Sequence, residues 1–199
     1  MEGRRERKVN RTRRTLAEAA LDLVRERGFA AVTVQEIADR VDVSRRTFSR
    51  HFTGKEDALV EPLRVDFARI NEALADRPAD EPPLAAYRGA VLAWLAEPDA
   101  WHRREGAPDL FRIAREEPAV LAVYRQVSVE AEDETARVFA VRTGADDVRA
   151  AVLAAAAAGA FRTGARAWWN APGTVDLPGA VERAFEALLG ACAPGGERS

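Results

Sequence analysis

At 199 residues with 47% hydrophobic side chains, the chain is long enough to bury one large core or two small ones. Its single cysteine excludes a disulfide framework. The net charge of -2 hides an asymmetry: residues 1–55 hold fourteen Lys/Arg against eight Asp/Glu, and the remainder holds sixteen against twenty-four. A basic head on an acidic body implies a polyanion partner for the head and a different task for the body.

The chain opens with Arg4, Arg5, Arg7, Lys8 and Arg11 and no apolar periodicity, which predicts a disordered basic arm. Such an arm reaches a minor groove or a phosphate, or serves only as a solubilising tail. No hydrophobic run follows, so no signal peptide is expected. From Arg11 to Gly28 the pattern is helical, with Leu16, Ala20, Leu23 and Val24 on one side, Gly28 as a left-handed cap and Phe29 packing back.

The densest signal lies between Thr33 and Lys55. Thr33 caps a helix that begins at Val34, and Glu36 completes a capping box. Val34, Ile37, Ala38 and Val41 form its apolar stripe. Asp42 sits where the chain must turn sharply, and Asp tolerates the left-handed region better than most residues. Ser44 caps a second helix, whose Phe48 and Phe52 give a buried edge while Arg45, Arg46, Thr47, Ser49, Arg50 and His51 occupy the other faces. Two short helices around a tight turn, the second rich in Arg and hydroxyls, are the layout of a helix-turn-helix that reads the DNA major groove.

This stretch closely resembles the DNA-binding domain of TetR-family transcriptional repressors, through Thr33, Ile37, Ala38, Val43, Ser44, Thr47, Phe48, Ser49, His51, Phe52 and Lys55. It departs from the family pattern twice: Asp42 stands where Gly is usual, and Ser49 where an aromatic often touches the DNA backbone. The resemblance implies an all-α fold of about nine helices, with a basic arm and helix-turn-helix over 1–55 and a helical effector-binding and dimerisation domain over 56–199. It further implies a double-stranded DNA operator, a small-molecule effector and a homodimer.

After the motif a long helix is predicted over Lys55–Ala75, with Pro62 removing a backbone donor and favouring a kink. The run from Arg77 to Pro83, rich in Pro and acid, breaks the chain. Four helical segments follow, at Leu84–Glu97, Asp99–Glu116 (bent or split by Pro108), Pro118–Thr143 and Ala145–Asn170. A last helix covers Leu177–Ala191 before a Gly-rich tail. No alternating strand and no internal repeat is found. The Ala-rich run Ala150–Ala160 is about half the ~20 apolar residues that a membrane span needs, and Arg149 and Arg162 flank it. Its small residues instead suit close helix packing. In the resembled family the last two long helices form the dimer seam, for which Val152, Ala156, Gly159, Thr163, Val181, Phe185 and Leu188 are candidates.

Bulky groups crowd the body. Trp94, Trp101, Phe111, Tyr124, Phe161 and Trp168, with His102 and Arg112 as polar orienting groups, are the expected ligand-binding set, and Arg88 and Arg166 are further polar candidates. Trp168 and Trp169 cannot face the same way on a helix, which sends one to a seam or to solvent. The C-terminal half is similar to a branch of the family that includes regulators of mycofactocin genes, some of which respond to acyl-CoA.

An enzyme is not expected. There is no Gly-rich phosphate loop, neither His has metal-ligand spacing, Cys192 is alone, and Glu130, Glu132, Asp133 and Glu134 read as a solvated face. No metal and no cofactor are implied. The composite expectation is a cytoplasmic, ligand-responsive repressor that presents two recognition helices to successive major grooves of a palindrome, about 34–36 Å apart. Arg45, Arg46 and Thr47 would meet base edges, and Thr33, His51 and Lys55 would hold phosphates. An activator, a regulator without effector, and a helical enzyme or carrier that keeps the motif only for packing are the alternatives.

Overall fold

The computed structural model describes residues 4–98, 100–103, 106–171 and 173–192, with the side chains of residues 4–6, 101 and 192 outside that description. The described residues are all-α: α1 (Arg4–Arg27), α2 (Val34–Arg40), α3 (Arg45–His51), α4 (Lys55–Ala75), α5 (Pro83–Ala96), α6 (Ala107–Glu116), α7 (Pro118–Thr143), α8 (Asp147–Asn170) and α9 (Leu177–Cys192). Short 3-10 turns lie at Phe29–Ala31 and Trp101–Arg103. No described helix is long and apolar enough to cross a membrane. Two compact units result, one of Met1–Asp66 with Trp101–Ser128 and one of Phe67–Ala100 with Val129–Ser199.

In the first unit the core is built from Leu16, Ala20, Leu23 and Val24 of α1, Ile37 and Ala38 of α2, Phe48 of α3 and Leu59 of α4. The expected disordered arm is instead helical from Arg4 onward. Arg, Lys and Glu are good helix formers, and once Leu16 and its neighbours have nucleated the helix, adding residues at its N-terminal end costs little. Gly28 ends α1 with φ 81° and ψ 153°, a positive-φ extended conformation rather than the left-handed cap that the sequence suggested. That region is essentially restricted to glycine, so the residue is fixed by the turn all the same. Pro62 sits inside an unbroken α4. Pro108 falls in the first turn of α6 after Gly106 at φ 90°, so the expected helix Asp99–Glu116 is a 3-10 turn and a shorter helix.

In the second unit α8 and α9 pack most closely. Gly164 faces the backbone of Ala180 and Val181, an approach that a Cβ would block. Tyr87 of α5 packs its ring on Phe139 of α7 and Phe185 of α9, with ring centroids 6.4 and 6.1 Å away. Buried Asn71 donates to the Ala131 carbonyl and accepts from the Thr135 hydroxyl, joining α4 to α7. Arg142 donates to the carbonyls of Leu74, Arg77 and Pro78, placing a cation on the C-terminal end of α4. Trp168 and Trp169 are both half-buried against this core, so neither is sent wholly to solvent. Val181 and Phe185, expected at a dimer seam, are completely buried within the chain. Their stripe on α9 faces α5 and α8, while Val148 and Val152 of α8 are exposed.

Candidate nucleic-acid interface

α2 begins with a complete capping box. The Glu36 amide donates to Thr33 Oγ1, and the Glu36 carboxylate accepts from both the Thr33 amide and its hydroxyl, each at 2.8 Å. Arg27 donates to the other carboxylate oxygen at 2.7 Å. The Thr33 hydroxyl, with Arg27 and the Thr33 amide, pushes the Glu36 carboxyl down to about 2. Both donors of Thr33 are therefore committed to Glu36. The expected phosphate contact from Thr33 would cost the cap, and in the free chain this residue is a helix anchor.

The turn that follows is a Schellman motif. Asp42 has φ 53°, its amide donates to Asp39, and the Val43 amide donates to Ala38. The Asp that replaces the usual Gly thus takes the left-handed conformation itself. Ser44 Oγ then accepts from the Thr47 amide at 3.1 Å and lies 3.0 Å from the Thr47 hydroxyl, which starts α3. Phe48 and Phe52 are buried at 1% and 3% exposure with ring centroids 5.5 Å apart, which pins the inner side of α3. Arg45, Arg46, Ser49 and Arg50 are exposed. At 3.6 residues per turn those four span an arc of about 140°. Thr47, half-buried, turns toward the motif.

Beneath α3 lies a clamp that sequence reasoning missed. Arg13 of α1 stacks 4.9 Å from the Phe52 ring and pairs through two nitrogens with Glu61 of α4, whose Oε2 it meets at 2.7 Å. Glu61, only 6% exposed, also accepts from Arg64, and Arg64 reaches Asp57. Asp57 in turn accepts from the Thr53 amide in the loop after α3. The one trace of this in the sequence is a lone acid within the otherwise apolar run from Ala58 to Leu63.

His51 is half-buried, and its Nε2 is enclosed without a hydrogen-bond partner among the described residues. Burial first, then the nearby Arg50 and Arg13 charges, hold it below its ordinary pKa. Lys55 turns inward: its ammonium donates to the carbonyls of Phe29 and Val32 at 2.6 and 2.8 Å and sits 4.0 Å from the Phe29 ring centre. One of its three donors is left for any phosphate. In the free chain Lys55, expected to hold a phosphate, ties the start of α4 to the carbonyls of Phe29 and Val32, and His51, likewise expected to hold one, is half-buried at the end of α3.

The motif and the body both match known proteins. Residues 16–61 match "Bacterial regulatory proteins, tetR family" and residues 81–193 match the "MftR C-terminal domain". Over 204 residues the chain is 35% identical to the HTH-type transcriptional regulator TcmR of Streptomyces glaucescens, covering 96% of this chain and 87% of that one. The chain belongs to the TetR family. It is a transcriptional regulator, as its relatives are, and not an enzyme. A TetR-family regulator from Mesorhizobium loti shares the fold at 17% identity and a TM-score of 0.53, over 92% of this chain and 97% of that one. A regulator from Pseudomonas aeruginosa does so at 22% identity and the same TM-score, over 92% and 90%.

In this TetR-family chain the expected ligand-binding residues fall in both compact units. Trp94 and Phe161, with ring centroids 6.0 Å apart, meet in the second unit, where Phe67 also packs on Phe161 and Trp168 lies against the core. Phe111 and Tyr124 pair at 6.2 Å in the first unit, which also holds half-buried His102 and exposed Arg112, the latter bound to Glu116. The side chain of Trp101 lies outside the described residues. Of the further polar candidates, Arg88 pairs with Glu182 and Arg166 is exposed.

Proposed function

We propose that the protein is a dimeric repressor that binds a palindromic operator through α3 and is released by a small, apolar effector. The observation that carries this is the outward face of α3: Arg45, Arg46, Ser49 and Arg50 are exposed together on a helix fixed from behind by Phe48 and Phe52. Arg45 and Arg46 lie exposed in the first turn, the part of a recognition helix that meets base edges, and an Arg there holds guanine bidentately. Arg50, one turn on, and the remaining donor of Lys55 supply phosphate contacts, which add affinity and salt dependence without sequence choice. Residues 1–55 are the reading head and 56–199 the effector-binding and dimerisation part, working in the cytoplasm where the DNA is.

Support for the dimer comes from the exposed face of α8, where Val148 and Val152 stand at 74% and 63% exposure in line with Ala155 and Gly159. Buried aromatics around Phe161 supply an apolar lining for an effector. An effector releases DNA only to the extent that it binds more tightly to a state with misplaced heads.

The test uses a duplex selected from random-sequence DNA and a scrambled copy of it. Arg46→Ala should weaken the selected duplex by about 1–3 kcal/mol and the scrambled one far less, whereas Arg50→Ala should weaken both alike. Equal losses on both duplexes for Arg46→Ala would remove it from base recognition. Quenching of Trp94 fluorescence across a metabolite panel checks the effector; no response from any apolar compound would leave a regulator without one.

A further inference from the structure

The helical start of α1 carries a feature that the reading head does not use. Arg7, Lys8, Arg11, Thr12 and Thr15 line an open groove of about 500 Å³ whose other wall is Val41 and Val43, the two residues flanking Asp42 in the helix-turn-helix turn. On a helix of 3.6 residues per turn these five α1 positions fall within an arc of about 140°. Arg13, which the Glu61 clamp holds, points to the opposite side. One face of α1 is thus anchored to α4 while another presents cations beside the turn that launches α3.

Thr12 and Thr15 turn their hydroxyls back onto the carbonyls of Lys8 and Arg11, so the donors of the groove are its three cations. About three helical turns of α1 precede Leu16, the first buried residue among its described side chains, and they carry Val9 at 41% exposure. Among the described side chains from Arg7 to Thr15 none is buried, and the chemistry they present is that of a surface for polyanions.

We propose that this groove is a second DNA site, resting on the reading of α3 given above, which takes backbone phosphates of the duplex flanking each half-site. Because the segment is a helix, about 10–12 Å across, it does not enter a minor groove about 6 Å wide. It meets phosphates and reads no bases. The groove therefore lengthens the footprint and raises the salt dependence without adding sequence choice.

The experiment compares two duplexes, one ending at the half-sites and one extended by about ten base pairs on each side, roughly one helical turn of DNA. Binding to each is measured by anisotropy across salt for the full chain and for the triple variant Arg7→Gln, Lys8→Gln, Arg11→Gln, which keeps helix formers at exposed positions. The unaltered chain should bind the extended duplex more tightly than the short one. Three phosphate contacts per protomer, six for the dimer, steepen its salt slope by about 5.4 in logarithmic units, a roughly 1,800-fold larger loss between 50 and 200 mM salt. The variant should lose that gain and bind the short duplex unchanged. Equal losses on both duplexes, or no loss on either, would overturn the second site while leaving α3 recognition intact. Failure of the unaltered chain to prefer the selected duplex over a scrambled one would remove both readings.

Discussion

Replacing Gly164 with Ala tests the backbone contact between α8 and α9. A Cβ built there lies 2.5 Å from Val181 Cα, 2.7 Å from Val181 N and 2.9 Å from the Ala180 carbonyl oxygen. Carbon atoms pack at about 3.5–4.0 Å, so the two helices must separate by about 1 Å or more. All three obstructing atoms are backbone, which leaves no side chain to rotate away. Overpacking of this kind costs about 1–3 kcal/mol, and a backbone collision belongs at the upper end. Ala gains back about 1 kcal/mol of helix propensity over Gly. The net is a loss of about 2 kcal/mol, or a Tm lower by roughly 4–8 °C for a chain of this length.

Gly190, on α9, has no atom within 4 Å of a built Cβ and no positive φ. Gly190→Ala therefore isolates the propensity term and should leave Tm unchanged or raise it by up to about 4 °C. Both variants are melted by circular dichroism at one fixed protein concentration, since association would otherwise shift Tm by mass action. A Gly164→Ala protein that melts at or above the unaltered chain would show that α8 and α9 are not in backbone contact.

Three further expectations concern the head and the surface. Asp42→Gly should stabilise by about 0.5–1 kcal/mol, because Asp42 holds φ 53° and Gly occupies that region without strain, whereas Asp42→Val should destabilise by more than about 1 kcal/mol; thermal melts of the pair that shift in the same direction would contradict this. His51 has a lowered pKa in the folded chain, so the unfolded chain binds its proton first and stability falls as pH drops below 6.5. His51→Gln should flatten that part of the pH profile, and an unchanged slope would assign it elsewhere. Val152→Arg, on the exposed face of α8, should give a monomer by light scattering without lowering the helix content; a persistent dimer would move the seam off this face.

Much of the fold was legible because its elements have strong local signals. Thr33 with Glu36, Ser44 and the Phe48–Phe52 spacing gave the helix-turn-helix, and the Pro and acid between Arg77 and Pro83 gave the break before α5. What failed were places where local preference met a longer context. A run of arginines reads as disorder by charge alone, yet it continues a helix already nucleated at Leu16. Pro108, by contrast, did mark the split of the expected Asp99–Glu116 helix, and it enters α6 as a first-turn residue after Gly106. Val181 and Phe185 have the spacing of an interface stripe, and spacing cannot say whether the facing surface belongs to the same chain.

The site was legible in its residue types and not in their division of labour, because DNA ligands and structural anchors are drawn from the same side chains. Counting donors separates them. Thr33 has two, both held by Glu36, and Lys55 has three, two of them held by Phe29 and Val32. Arg13 gives its guanidinium to Glu61 and Phe52. Each of these sets the tilt or the end of a helix, so their loss would weaken DNA binding through the position of α3, with matched and mismatched sequences affected through one cause. Arg45, Arg46 and Arg50 stand exposed on the face that Phe48 and Phe52 turn outward. A polar residue whose donors are satisfied inside the fold positions the reader. One held outward by buried neighbours is the one proposed to meet the DNA.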